Sequence, residues 1–298
     1  MPDKFHIAEQ FKSLQDEICS ALEKLDGKAK FVEDHWQRPG GGGGRSRVIN
    51  QGDLLEKGGV NFSEVLGDLP AELVKEYKAE TPGFFATGVS IVLHPNNPFV
   101  PIIHMNVRYF EMDNGMCWFG GGIDLTPHYV VAEDAINFHK GLKAICDKYH
   151  PTFYPQHSAW ADKYFSIPHR GETRGIGGVF FDQQKPGDKL NKQQLLDYCL
   201  DLGRNFVPLY AEVANKHRNR NFTEENKKWQ KLRRGRYVEF NLVWDRGTRF
   251  GLITGGRTES ILMSLPQEAM WLYDYNPEPE SDEARTLKFL RQPQSWLS

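Results

Sequence analysis

The segment His104-Met105-Asn106-Val107-Arg108-Tyr109-Phe110-Glu111 alternates polar and apolar side chains. In an extended strand successive side chains point to opposite faces, so His104, Asn106 and Arg108 would share one face and Met105, Val107 and Tyr109 the other. A titratable donor, an amide and a guanidinium in a row on a rigid strand suit an anionic ligand. Ser90 and His94, on the strand expected just before, join this cluster. The plain alternative is an amphipathic strand with one face in water.

Three more clusters could carry chemistry. In Trp118–Pro127 a triple glycine, 120–122, leads to Asp124, which suits close backbone approach and a presented carboxylate, or else a tight turn capped by that aspartate. In His169–Asp182, Arg174 precedes a glycine-rich strand and is a candidate carboxylate clamp; the glycine spacing is wrong for a dinucleotide fingerprint. The stretch Arg236–Thr248 puts Asp245 and Arg246 at the end of an expected strand, and Gly255 and Gly256 precede Arg257 in a turn. Arg108, Arg174, Arg246 and Arg257 would offer several forks for carboxylates, and the aromatic residues beside them would cover an apolar ring system. Nucleophile-elbow, zinc-protease, zinc-cysteine, Walker and Rossmann motifs are all missing.

The elements that must position these residues can be read from periodicity. Ile7, Phe11, Leu14, Ile18, Leu22 and Leu25 recur at helical spacing, so a helix is expected within 1–30. Strands are expected at Phe84–Leu93, Val100–Glu111, Met116–Phe119, Gly175–Phe181, Arg236–Trp244 and Phe250–Thr254, with helices over Glu133–Tyr149, around Leu195–Val213, Ser260–Met270 and Glu283–Arg291. Short turns such as Asn114-Gly115 make neighbouring strands antiparallel. The run Gly40–Gly44 reads as irregular, so 40–48 is expected to be a glycine-rich loop, either a linker or a flap over a site. Runs of helices and antiparallel strands give an α+β fold, read as a single domain over 1–298.

The net charge of −2 advertises neither nucleic acid nor an anionic membrane as partner, and no apolar run is long enough for a transmembrane segment. Cys19, Cys117, Cys146 and Cys199 are scattered without a CxxC pair, which fits free thiols in a reducing compartment. Acids and lysines without arginine in Met1–Leu25 resemble no presequence, so a cytoplasmic protein is expected.

In this order the clusters resemble the oxygen-dependent coproporphyrinogen-III oxidases of haem biosynthesis, from Gly40–Val48 to the region around Trp271. The specific parts are His104–Glu111, Gly120–Pro127, His169–Asp182 and Tyr237–Gly256 followed by Arg257–Pro266. The resemblance implies oxidative decarboxylation of two propionates of coproporphyrinogen III to vinyl groups, giving protoporphyrinogen IX. It implies molecular oxygen as co-substrate, no organic cofactor, and a homodimer whose large flat antiparallel sheet is sandwiched between helices. By resemblance His104 is the proton donor, and Arg108, Arg246 and Arg257 hold propionates, with Arg174 a further candidate. Ser90, Asn106, Val107, Arg108, the 237–254 segment, Gly255, Gly256 and Arg257 form the substrate pocket. Asp124 or Asp245 would accept hydrogen bonds from the pyrrole N–H groups, since an ionised carboxylate only accepts. Some bacterial relatives are described as using a divalent metal. The matching positions are His94, His104, His139 and His169, for which hydrogen-bonding roles are favoured over ligation. A tetrapyrrole carrier and a metal-dependent oxygenase of another substrate are the competing classes.

Overall fold

The computed structural model describes residues 2–69, 71–76, 80–253, 256–292 and 294–297. Helix α1 (Lys4–Asp26) starts where Asp3 accepts the His6 N–H and stops at Gly27, which takes φ +90°. Six antiparallel strands follow in chain order: β1 (Val32–Gln37), β2 (Gly42–Asn50), β3 (Leu55–Asp68), β4 (Gly83–Pro95), β5 (Ile102–Met112) and β6 (Cys117–Thr126), with the short helix α2 (Ala71–Glu76) between β3 and β4. After α3 (Ala132–Asp147), α4 (Phe153–Tyr164) and a small hairpin of β7 (Ser166–Ile167) and β8 (Glu172–Thr173), strand β9 (Gly178–Gln184) joins beside β6. The large sheet therefore runs β1-β2-β3-β4-β5-β6-β9, and every pairing in it is antiparallel. Helix α5 (Lys192–His217), α6 (Glu224–Glu239), a π-helix (Phe240–Trp244), α7 (Arg246–Ile253), α8 (Thr258–Leu262) and α9 (Asp282–Arg291) complete the chain. This is the expected α+β class. Among the described residues no helix is long and apolar enough to cross a membrane.

The core lies on one face of the sheet. Val89, Ile91 and Leu93 of β4 and Ile103, Met105 and Val107 of β5 pack against Phe11, Leu14 and Ile18 of α1 and Leu202 and Phe206 of α5. The alternation in β4 and β5 thus reports burial as expected, each i, i+2 set sharing a face. On the other face, Tyr237 of α6 packs on Val92 and Ile102, while Phe180 of β9 packs among Ala161, Phe165 and Phe240.

Several expectations are corrected. The 40–48 stretch is largely strand: β2 begins at Gly42 and is paired on both sides, by β1 and β3. Its glycines are needed because neighbours crowd in. Gly42 has φ +79°, a Cβ there would lie 2.2 Å from the Glu64 carbonyl oxygen, and the Trp36 ring occupies the space over Gly44. The stretch read as strand Arg236–Trp244 is the end of α6 and the π-helix. Trp229, Leu232, Arg233, Tyr237 and Phe240 bury one helical stripe, whereas Leu242, Val243 and Trp244 are exposed, so the apparent alternation was not a burial pattern. Phe250–Thr254 is likewise helical as far as Ile253; Thr254 lies outside the described residues. The helix expected over Ser260–Met270 is confined to α8, ending at Leu262.

Candidate active site

The face of the sheet away from α1 and α5 carries a low floor. Across β4, β5 and β6 the registers line up Gly88, Arg108 and Gly120 in one row, Ser90, Asn106 and Gly122 in the next, and Val92, His104 and Asp124 in the third. Ser90 is exposed and Gly88 half-buried, whereas Arg108 and Asp182 fill the space over Gly120 and Phe180 that over Gly122; His104, Asn106 and Arg108 rise beside them. The Asn106 Oδ1 is buried and has no hydrogen-bond partner. Val107, assigned above to the pocket, points its fully buried side chain into the core on the opposite face, as the strand alternation demands.

His104 is oriented from behind. Its Nδ1 lies 2.7 Å from Asp124 Oδ1, and since a carboxylate only accepts, Nδ1 carries the proton. Asp124 is 1% exposed, and its two oxygens lie 2.8 and 2.7 Å from one Arg174 nitrogen. Burial alone would raise the Asp124 carboxyl, but Arg174 and His104 outweigh it and hold the group below the usual carboxylate range. Arg174 also donates to Asn241 Oδ1 at 3.2 Å, and its guanidinium carbon sits 4.3, 4.8 and 4.6 Å from the ring centres of Phe165, Tyr237 and Phe240. At 2% exposure, inside that aromatic cage, Arg174 does not reach a substrate carboxylate. Its expected clamp role is corrected to one of holding Asp124.

Asp245 and Arg246 occupy the junction of the π-helix and α7. The Asp245 N–H donates to the Phe240 carbonyl, five residues back, which is the π-helical closure. The Asp245 side chain then caps α7, accepting the Thr248 N–H at Oδ2 (2.7 Å), while the Tyr164 hydroxyl donates to Oδ1 at 2.8 Å. Tyr164 also accepts the Arg246 N–H at 3.3 Å, and its ring stacks on Phe180 at 4.1 Å. Asp245 is half-buried and Arg246 exposed.

The remaining candidates are spread more widely. Arg108 pairs with Asp182 at 2.9 Å. Arg257 forms an ion pair with Asp34 of β1 and a 3.5 Å hydrogen bond to Ser260. Gly256 closes the turn after α7 by donating to the Gly251 carbonyl; Gly255 lies outside the described residues. The four histidines do not converge. His94 is fully buried, with Nε2 2.8 Å from the Ser264 carbonyl, and burial with nearby Arg234 pushes its pKa down to about 3. His139 sits between the Tyr154 hydroxyl and the Ile176 carbonyl, at 3.0 and 2.9 Å, and burial brings it down to about 4. His169 binds Glu239 at 2.8 Å beside Trp244. Among the described residues no three or more of His, Cys, Asp and Glu come together as a metal site.

Sequence reasoning missed Tyr164 and Asp182 as participants, and it placed Asn241 in the pocket segment 237–254 without its role as an acceptor for Arg174. Tyr164 stands in an aromatic-rich helix with no clean apolar stripe, and the stretch that holds Asn241 reads as a strand but is helical, so no local signal shows the contact either one makes.

A profile of the family described as coproporphyrinogen III oxidase matches residues 6–296. The chain is 48% identical to coproporphyrinogen-III oxidase 1, chloroplastic, of Arabidopsis thaliana, over 96% of this chain and 77% of that protein. It is 48% identical to the oxygen-dependent coproporphyrinogen-III oxidase of Parasynechococcus marenigrum (strain WH8102), covering 95% and 85%. The protein of that name from Drosophila melanogaster is 47% identical, covering 95% and 76%.

Proposed function

This chain belongs to the coproporphyrinogen III oxidase family, and from that premise we propose how its residues carry the reaction. It is an oxidoreductase that uses molecular oxygen to turn two propionates of coproporphyrinogen III into vinyl groups, giving protoporphyrinogen IX. For each propionic acid group, one O2 is consumed and one CO2 and one H2O2 leave. Two electrons, those of the broken C–H bond, go to oxygen with that hydrogen and the carboxyl proton, while the pair of the broken C–C bond becomes the second bond of the vinyl group.

The observation that carries the assignment of roles is the low floor of Gly88 and Ser90, with a backed histidine on one side and the Asp245–Arg246 junction as the other polar group. A flat macrocycle fits over small residues. Asp245 accepts the central pyrrole N–H groups, because each of its oxygens keeps a lone pair after the Tyr164 and Thr248 bonds. Asp124 acts one step back: with both oxygens held by Arg174 and His104, it fixes the histidine tautomer so that Nε2 exchanges the proton. An electron-rich deprotonated pyrrole can then reduce oxygen without an organic cofactor or metal. Arg108 and Arg246 hold propionates at the rim. Arg257 does so by exchanging Asp34 for the substrate carboxylate, an exchange between a half-buried arginine and an exposed partner that costs little. Asn106, with its unpaired Oδ1, and Ser90 complete the pocket with Gly255 and Gly256. Homodimerisation and a reducing, cytoplasmic compartment belong to the same proposal; four free cysteines, three of them buried, support the second.

The test is turnover of chemically reduced coproporphyrinogen III in air and under nitrogen, each with and without chelator, with product oxidised and read as protoporphyrin fluorescence. Oxygen-dependent product that survives chelator is expected. Loss with chelator would overturn the metal-free reading, and tight binding without product would favour a carrier.

A further inference from the structure

We propose that Asp182 is a positioning residue for Arg108, and that the two form a carboxylate subsite built on a bulge of the sheet. The proposal rests on the reading above that Arg108 holds a propionate. Three features meet there. Between β6 and β9, Phe119 faces Gln184 and Gly121 faces Phe181, so Asp182 and Gln183 together oppose Gly120 alone. Such a bulge re-aims a side chain, and Gln183 takes φ +49°, a strained conformation for a residue with a side chain. The Gln183 N–H donates to Asp182 Oδ1 at 2.9 Å and fixes the carboxylate on the bend. Asp182 Oδ2 then lies 2.9 Å from an Arg108 terminal nitrogen. Finally, a Cβ on Gly120 would stand 2.7 Å from both Arg108 Nε and Asp182 Oδ1, so the pair occupies the space that this glycine leaves.

The arrangement decides where a mobile fork points. The Arg108 side chain is 40% exposed, and without a partner it would sample many rotamers. Asp182 uses one part of a planar group that has five N–H donors and leaves the rest for a rim carboxylate of the tetrapyrrole. Its own negative charge opposes that anion, but at 31% exposure the repulsion is screened, and orientation outweighs it.

The experiment measures kcat and KM for coproporphyrinogen III in Asp182→Asn, Arg108→Gln and the double variant, after circular dichroism confirms the fold. Asp182→Asn is expected to raise KM about tenfold and to keep kcat within about twofold, the signature of lost binding alignment. In the Arg108→Gln background the same change should add less than about twofold, because the residues act as one unit. Gly120→Ala, which displaces the pair without removing a charge, should also raise KM. An unchanged or lowered KM in Asp182→Asn, with KM raised in Arg108→Gln, would overturn the positioning role. So would equal increments in both backgrounds. An unchanged KM in Arg108→Gln would instead overturn the propionate role of Arg108, and the subsite with it.

Discussion

The two halves of the candidate site are built on different principles. On the sheet side, His104, Asp124 and Arg174 come from two central strands and the turn before β9, and the Asp124–Arg174 pair is almost wholly buried. On the helical side, Asp245 and Arg246 sit at a junction surrounded by exposed Leu242, Val243, Trp244, Leu252 and Ile253. Two groups hold the Asp245 carboxylate there, the Tyr164 hydroxyl and the Thr248 amide of its own helix. A buried, ion-paired network has one geometry and is expensive to disturb, whereas an exposed junction can yield to an incoming ligand. The sheet side is thus suited to hold a proton donor still, and the helical side to settle over a substrate.

The largest expected effect bears on the sheet side. His104→Ala should lower kcat by ~10²–10⁴-fold, the usual range for a lost acid–base group, and should also lower the urea midpoint, because it takes a hydrogen bond from the buried Asp124. A loss of only a few-fold would mean that the chemistry does not depend on this half. Stability separates the halves next. Arg174→Met leaves Asp124 buried without its counter-ion and should cost about 3–5 kcal/mol in urea unfolding. Arg246→Met, at an exposed position, should cost under about 0.5 kcal/mol but raise KM. Equal losses would erase the contrast. Tyr164→Phe keeps the ring stacked on Phe180 and removes one hydrogen bond to a carboxylate, so kcat/KM should fall at least about tenfold while Tm holds. An unaltered kcat/KM would release the helical half from this tether.

The smallest effect concerns Glu239, the last residue of α6. Burial alone would raise its carboxyl, but hydrogen bonds from Arg170, His169 and Trp271 bring it down to about 2. A carboxyl lowered in the folded state contributes stability that is full above its unfolded value of about 4.5 and is lost as pH falls toward 2. Glu239→Gln should therefore flatten the fall of the urea midpoint between those values, by roughly 1 kcal/mol after solvent screening. An identical acid slope in both proteins would show that this cluster adds nothing to the helical half.

The same contrast explains what could be read in advance. The faces of β4 and β5 were legible because a strand sorts its own side chains by a local rule of period two, and one side of this sheet is buried. The helical half was misread because Val238, Phe240, Leu242 and Trp244 mimic that period while three exposed apolar residues carry no information about burial. The glycine run was misread for the opposite reason. Alone it has little strand propensity, and only β1 and β3 on either side, with Trp36 over Gly44, hold it extended.

By itself the sequence determined the fold class, the polar face that carries His104, Asn106 and Arg108, and the family, because these follow from short-range periodicity and from motifs read in order. Only the tertiary structure decided which charge meets which. Arg174 lies fifty residues from Asp124 in the chain, and nothing near it in sequence shows that it turns inward to hold that aspartate. The partner of a charge is a long-range contact, fixed by packing, and no local pattern encodes it.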